Sequence, residues 1–581
     1  MTLFERILES RGLVGDAREA FLNPVYERGH DPFLLPDMAR AVERLVDARQ
    51  MQEHITIYGD YDIDGLTATT VLLDAMDSFG YRHVSTYIPN RFVEGYGLTV
   101  DAVERIAADG ATLIVTVDCG SLSQKEIERA AELGVDVIVT DHHNVAKVQP
   151  PAVAVINPKR LLQDYPKRYE HLQLVAPHPK KPLYPFLDLP GVGVAFKLVQ
   201  ALQTRLDGLP YGQEKWLLDL VALGTVCDVV TLIDENRVHV YWGLRVLSKT
   251  RRPGLRALMA VAAVEPQKVN ARSLGFALGP RMNAAGRLET AKYAQDMLLA
   301  RDGRVAMEKA QKLDEMNVAR RAEQDEILAM AIQQAESMKE SRVLVVSHSD
   351  WNHGIVGIVA AKLLEKYKKP AFVLQEMGEQ AKGSARSYGD FSAADAIRAS
   401  DDLIIKGGGH KLAAGVSLLT ANIAAFRDRV NAYFESLDLP SQQVHLLARE
   451  DVAIADFSEV NTALLDDMER MEPFGSGNPE PILKVADVIV MSMRRMGNPE
   501  PILKVADVIV MSMRRMGADG QHIKIGVRDN AGGILDLLAF NASADWFVEP
   551  GETVSVWFKP TRNEWRGSKT VEGMLVRLER L

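Results

Sequence analysis

Residues 54–65 read HITIYGDYDIDG. A short run of β-favouring residues enters a loop with aspartate at every second position, Asp60, Asp62 and Asp64, closed by Gly65. Two folds compete for this stretch. The spacing D-x-D-x-D-G opens the calcium loop of an EF-hand, which needs a helix before it and a bidentate Glu at its twelfth position. Counted from Asp60, that position is Val71, and HITIY reads as a strand, so the calcium loop is excluded. What remains is a strand that delivers carboxylates at its C-terminal end. The helical stretch LTATTVLLDAMDSF follows it.

The unit recurs downstream. LIVTV leads to Asp118 and VDVIVT leads to Asp141, with the helical stretch SQKEIERAAEL between them. Short apolar strands alternating with helices predict an α/β fold built on a doubly wound parallel sheet. Ligands bind such sheets at the carboxyl ends of the strands. Asp60, Asp62, Asp64, Asp118, Asp141, His142 and His143 are therefore expected along one edge. Carboxylates at that density are costly unless a cation neutralises them. Mixed carboxylate and imidazole donors suit Mn²⁺ or Mg²⁺ better than Ca²⁺. Two such ions can clamp an in-line displacement at phosphorus. Asp228 lies in an apolar stretch, where an unpaired carboxylate is expensive. Metal ligation would explain it. Cys119 and Cys227 flank Asp118 and Asp228 and read as small packing residues.

At 581 residues the chain has room for roughly three or four domains. The expected divisions are a helical segment 1–53, a catalytic domain 54–301, a connector helix 302–340, a second α/β domain 341–437, and a small β-barrel 446–581. The net charge of −10 shows no basic surplus, so any nucleic-acid contact must come from a local groove or bound cations. Two cysteines fit a reducing compartment and give neither a disulfide framework nor a thiolate zinc site. MTLFERILES carries charges where a signal peptide needs an apolar run, and the most apolar stretch contains Asp219 and Asp228. A cytoplasmic protein without a membrane span is expected. Residues 477–496 recur letter for letter at 497–516. Two copies do not make a solenoid. One copy is expected to supply a barrel strand and the other an extra hairpin or loop.

GDYDIDG, VTVDCG, TDHHN and LGTVCDVV resemble the four acidic motifs of the DHH phosphoesterases. PNRFVEGYGL, GPRMNAAGRLE, DWNHGIVGIVAAKL, GGGHKLAAG and EPFGSGNPEP, in that order, are similar to the RecJ family of single-strand-specific 5′→3′ exonucleases. The resemblance covers nearly the whole chain. It implies a DHH domain, a substrate-binding domain of the DHHA1 type and an OB-fold barrel. It implies Asp62, Asp64, Asp118, His142 and Asp228 as ligands of two Mn²⁺ or Mg²⁺ ions, with Asp118 bridging. Asp60 and Asp141 are either ligands or partners that orient His142, and His143 faces the scissile phosphate. Arg91, Tyr96, Arg281, Asn283, Arg287, His353, Ser384, Arg386, Gly408, Gly409 and His410 are implied substrate contacts.

The residues themselves give those contacts a rationale. Small residues around Arg281, Asn283 and Arg287 let a backbone approach a phosphate, and guanidinium forks suit its oxygens. Glycine amides in GGGH can form an anion nest. Trp557, Phe558, Trp565 and Arg566 are candidates for stacking and contact along a strand on the barrel. GVGVAF at 191–196 lacks the third glycine and the preceding strand of a dinucleotide fingerprint and is set aside.

The implied reaction is two-metal hydrolysis of single-stranded DNA to mononucleotides, in repair and recombination. A narrow entry between two lobes would exclude duplex. Implied partners are a single-stranded-DNA-binding protein and a helicase, with the chain itself a monomer. Two rival readings are a DHH phosphodiesterase of short oligonucleotides or cyclic dinucleotides, and a degenerate DHH scaffold. Enzymes of the first kind usually lack the barrel. Scaffolds of the second kind lose acidic ligands that are all present here. Leu161–Leu187 is longer than the family pattern and reads as a neutral surface insertion.

Overall fold

The structure, a computed structural model, describes residues 1–161, 183–439, 449–495, 522–540, 542, 546–565 and 568–580. The chain forms two units. One is Val25–His445 with Gly475–Asn478; the other is Met1–Pro24 with Leu446–Phe474 and Pro479–Leu581. Residues 1–53, expected as one segment, are divided between them. Most of the 161–187 insertion lies outside the described residues.

The larger unit opens on a five-stranded parallel sheet. Its strands are β1 (Ile55–Gly59), β2 (Val84–Tyr87), β3 (Leu113–Val117), β4 (Asp136–Thr140) and β5 (Ala154–Ile156), ordered β2-β1-β3-β4-β5. β1 and β3 are buried along their whole length, as parallel strands covered on both faces must be. The helices α1 (Ile63–Phe79), α2 (Gly191–Gln203) and α3 (Leu218–Cys227) pack together in the main core. Register decides where the acids emerge. Gly59 pairs with Val117, and Val117 pairs with Thr140. The next residues, Asp60, Asp118 and Asp141, therefore leave one edge of the sheet together.

Helix α4 (Gly279–Leu288) leads toward the connector α5 (Gly303–Glu336), which spans 34 residues. A second lobe follows. Its sheet comprises β6 (Leu344–His348), β7 (Ala371–Met377), β8 (Gln380–Arg386), β9 (Ile404–Gly409) and β10 (Ala413–Leu419), ordered β6-β7-β8-β10-β9. Only β6 and β7 pair in parallel. Helix α6 (Val356–Tyr367) lies against β7 and β8.

The other unit contains a five-stranded barrel of β12 (Leu483–Arg495), β13 (Ile523–Arg528), β14 (Ile534–Ala539), β15 (Thr553–Trp565) and β16 (Ser568–Arg580), with β11 (Val452–Ala453) added to β12 in parallel. Pairing of β12 with β15 closes it, which removes the exposed edges of an open sheet. The first copy of the repeat supplies β12; the second lies outside the described residues. Leu3, Phe4, Ile7 and Leu8 of the N-terminal helix join Val485, Val490, Ile525 and Phe558 in the barrel core. Among the described residues, no helix is long and apolar enough to cross a membrane.

Candidate metal centre and strand-binding cleft

Asp60 leaves β1 directly, Asp62 caps α1 through the amide of Gly65, and Asp64 sits in the first turn of that helix. The amides of Gly191 and Val192, at the N-terminus of α2, donate to Asp64 at 2.6 and 2.8 Å. Asp118 follows β3 in the left-handed region, with φ 61°, and is 1% exposed. A Cβ on Gly191 would stand 2.6 Å from the Asp118 Cβ, so only glycine lets α2 come this close. The GVGVAF stretch, set aside as a nucleotide motif, thus forms a wall of the acidic centre. Its signal was the pair of glycines, but their partners lie far upstream.

His142 Nε2 lies 3.1 Å from Asp118 Oδ1, 3.7 Å from Asp228 Oδ2 and 3.8 Å from Asp64 Oδ2. Three donor sets converge within 4.8 Å: Asp60, Asp62 and Asp118; Asp118, His142 and His143; Asp64, His142 and Asp228. Asp118 belongs to two sets, whereas Asp62 and Asp64 belong to different ones. Asp60 Oδ1, Asp118 Oδ1, His142 Nε2 and Asp228 Oδ2 are buried without a hydrogen-bond partner. Buried polar atoms are normally satisfied. Four orphaned donor atoms in a carboxylate and imidazole set fit divalent cations such as Mn²⁺ or Mg²⁺.

Burial, reinforced by the neighbouring carboxylates, pushes Asp60 and Asp118 well above the usual range, Asp64 to about 7 and Asp228 to about 10. Burial, with the charge of His143, pushes His142 down to about 3, which leaves the neutral imidazole that ligates metals. Asp141 behaves differently. It accepts from the amides of Ser121, His142 and His143 and from His143 Nδ1 at 2.9 Å. Burial would raise it, but these bonds and the histidine charges hold it below the usual range. Its ring contact is with His143, not His142, which corrects the expected pairing. Burial would lower His143, and Asp141 outweighs it. The Tyr96 hydroxyl lies 3.0 Å from the same Nδ1.

Beside the acids lies a group of arginines. Arg91 covers the Tyr61 ring at 4.3 Å, and Arg287 donates to the Gly354 carbonyl of the second lobe at 3.0 Å. Arg386 and Ser384 bracket Gly357 on α6, each 3.3 Å from where its Cβ would stand. Burial and the charges of Arg91, Arg320 and Arg386 push Arg287 down to about 9. None of these four arginines has a carboxylate partner among the described residues. Arg281 does: Asp314 at 2.7 Å and the Ala277 carbonyl at 2.8 Å occupy its guanidinium. This pair ties it to the connector helix. Asn283 lies half-buried on the same helix. His353 is held by Gln375 at 2.8 Å and by an edge contact with Phe92, so it braces the two lobes.

Gly408 and Gly409 do not form a nest. They lie in β9, an exposed edge strand, with His410 just past its end. Ser384 pairs with Gly415 and Gly415 with Gly408, so a row of small residues crosses three strands. On the barrel, Trp557 and Phe558 are core residues rather than stacking faces. Trp557 donates to Glu450 and is overlaid by Lys484 and Arg577. Arg566 and the side chain of Trp565 lie outside the described residues.

Comparison with known proteins bears on all of these regions. The DHH family, N-terminal domain, matches residues 54–225, and the DHHA1 domain matches 340–436. The RecJ OB domain matches twice, over 453–498 and 496–577, the two matches meeting at the junction of the sequence repeat. The single-stranded-DNA-specific exonuclease RecJ of Bacillus subtilis is 34% identical over 587 residues, 99% of this chain and 67% of that protein. That of Salmonella typhimurium is 33% identical over 593 residues, covering 98% and 94%. The crystal structure of RecJ from Thermus thermophilus in complex with Mn²⁺ superposes with a TM-score of 0.80 at 27% identity, covering 100% of this chain and 76% of that one.

Proposed function

We propose, from the premise that this chain belongs to the RecJ family, that its acidic centre hydrolyses the phosphodiester backbone of single-stranded DNA. The chain is a single-stranded-DNA-specific exonuclease, a metal-dependent hydrolase that degrades from the 5′ end to mononucleotides in repair and recombination. The observation that carries the site assignment is the set of four orphaned donor atoms on Asp60, Asp118, His142 and Asp228. Asp62, Asp64, Asp118, His142 and Asp228 would hold two such ions, with Asp118 common to two of the donor sets and Asp60 in one of them. Mn²⁺ or Mg²⁺ bound there supplies the Lewis acidity that activates a water and offsets charge building on the phosphoryl oxygens.

The chain's own groups do the rest. The α2 amides fix Asp64 so that its carboxylate cannot swing away. Asp141 holds His143 through Nδ1, which turns the other ring nitrogen toward the scissile phosphate. The Tyr96 hydroxyl meets the same Nδ1 and helps fix the ring. Arg91, Arg287 and Arg386, with Ser384, take backbone phosphate, since guanidinium forks match phosphate oxygens. The bare row through Gly408 lets the strand approach the sheet closely, with Gly409 and His410 at its rim.

Asp118→Ala, assayed with Mn²⁺ on DNA carrying a single-stranded 5′ tail, should lose more than about 100-fold in rate, since even residues supporting a metal ligand cost 10–100-fold. Unchanged cleavage would remove Asp118 from the centre. We further propose a monomer that works in the cytoplasm with a single-stranded-DNA-binding protein and a helicase. Two free cysteines suit that compartment.

A further inference from the structure

Helix α5 buries one continuous stripe, and the stripe changes character in the middle. Ala306, Ala310, Leu313 and Met316 belong to the core of the first lobe. Ile327, Ala331 and Ala335 belong to a core of the second lobe. Between them the same face continues as Asn317, Arg320 and Gln324, all buried, with Arg320 8% exposed. A helix that only bridged two apolar cores would carry apolar residues there too. The polar triplet therefore lies on the stretch of the helix between the two cores.

The chemistry of the triplet is unusual. Arg320 donates to Gln324 Oε1 at 2.8 Å and to Asn317 Oδ1 at 2.6 Å. Both acceptors are neutral amides, and no carboxylate pairs with Arg320 among the described residues. Asp325, which accepts from Gln324, raises Arg320 by its charge, but burial and the neighbouring Arg321 outweigh it. Burying a guanidinium without an anion is expensive. The two amides hold its plane without neutralising it, so the charge remains available to a ligand. Arg287, which feels the charge of Arg320, ties this point of the helix to the substrate arginines.

The geometry points to Arg320, oriented by Asn317 and Gln324, as a further strand-binding residue that takes a backbone phosphate of the single-stranded DNA as it crosses the connector helix. This rests on the exonuclease reading above. The buried stripe and a guanidinium held by two neutral amides without an ion pair among the described residues carry it.

The test is the salt dependence of binding. Affinity for a phosphorothioate oligonucleotide is measured in EDTA across a salt series, for the unchanged protein, Arg320→Gln and Arg320→Lys. Each phosphate neutralised on a single strand contributes about 0.7 to the slope of log affinity against log salt. Arg320→Gln should reduce the slope by about 0.7 and weaken binding about tenfold near physiological salt. Arg320→Lys should keep the slope. Both variants break the same fork to Asn317 and Gln324, so a purely structural role would lower both alike with the slope unchanged. That result overturns the assignment. If the unchanged protein neither binds the strand nor cleaves an unmodified one with Mn²⁺, the exonuclease reading falls and this proposal with it.

Discussion

Asp228 and Asp64 retain protons that the unfolded chain would release. Their ordinary value is 3.8, and the fold raises them to about 10 and about 7, by burial first and neighbouring carboxylates second. Between pH 4 and 10 the folded state thus binds more protons than the unfolded state. A raised carboxylate stabilises the fold fully below its unfolded value and loses that contribution as pH climbs through its folded value. The metal-free protein should therefore show a Tm that falls as pH rises from 5 to 9. Mn²⁺ competes with those protons, so the Tm gained on adding it should grow over the same range. A differential scanning series with EDTA and with Mn²⁺ checks both signs. A metal-free Tm that rises with pH would mean the cluster is not held protonated.

The loop that carries Arg91 and Tyr96 depends on Glu94. Its carboxylate accepts from the Asn90 amide at 2.7 Å, the Tyr87 hydroxyl at 2.5 Å and the Arg105 guanidinium. One side chain thus pins the loop to β2 and to the helix Val100–Ala108. Glu94→Ala should lower kcat/KM about tenfold, comparable to losing one hydrogen bond to a charged group. In an Arg91→Ala background it should cost much less, because both act through one loop. Steady-state kinetics on the four proteins of that cycle decide it, and full additivity would make Glu94 a fold residue only. Element type was legible where pattern alone fixes it. The strand-loop-helix unit at HITIYGDYDIDG and the connector both follow from local periodicity. The GGGH glycines were not legible, because the same residues serve a nest or an edge strand and only pairing with β10 chooses between them.

For the molecule as a whole, the ends of the chain meet. Met1–Pro24 belongs to the unit built by the C-terminal barrel, with Phe4 4% exposed in its core. Phe4→Ala should destabilise that unit by about 3–5 kcal/mol, the usual cost of emptying a buried aromatic site. Urea unfolding followed by barrel tryptophan fluorescence should show the transition moving to lower urea. An unmoved transition would mean the N-terminal helix does not contribute to the barrel's stability. Sequence order placed these residues at the opposite end of the chain, beside the catalytic domain. No local pattern tells an amphipathic helix which distant core it will cover.

The sequence by itself determined the element types, the parallel α/β plan and the residue types of the acidic centre, since strand periodicity and carboxylate spacing are local properties. The family likeness extended this to the order of domains. Only the tertiary structure decided which carboxylates share a point, that Asp141 bonds the His143 ring, that Arg281 pairs with Asp314 and that Arg320 lies buried between two neutral amides. Each of those depends on sheet register or helix crossing between segments far apart in the chain, and such distances are set by packing rather than by any neighbouring residue.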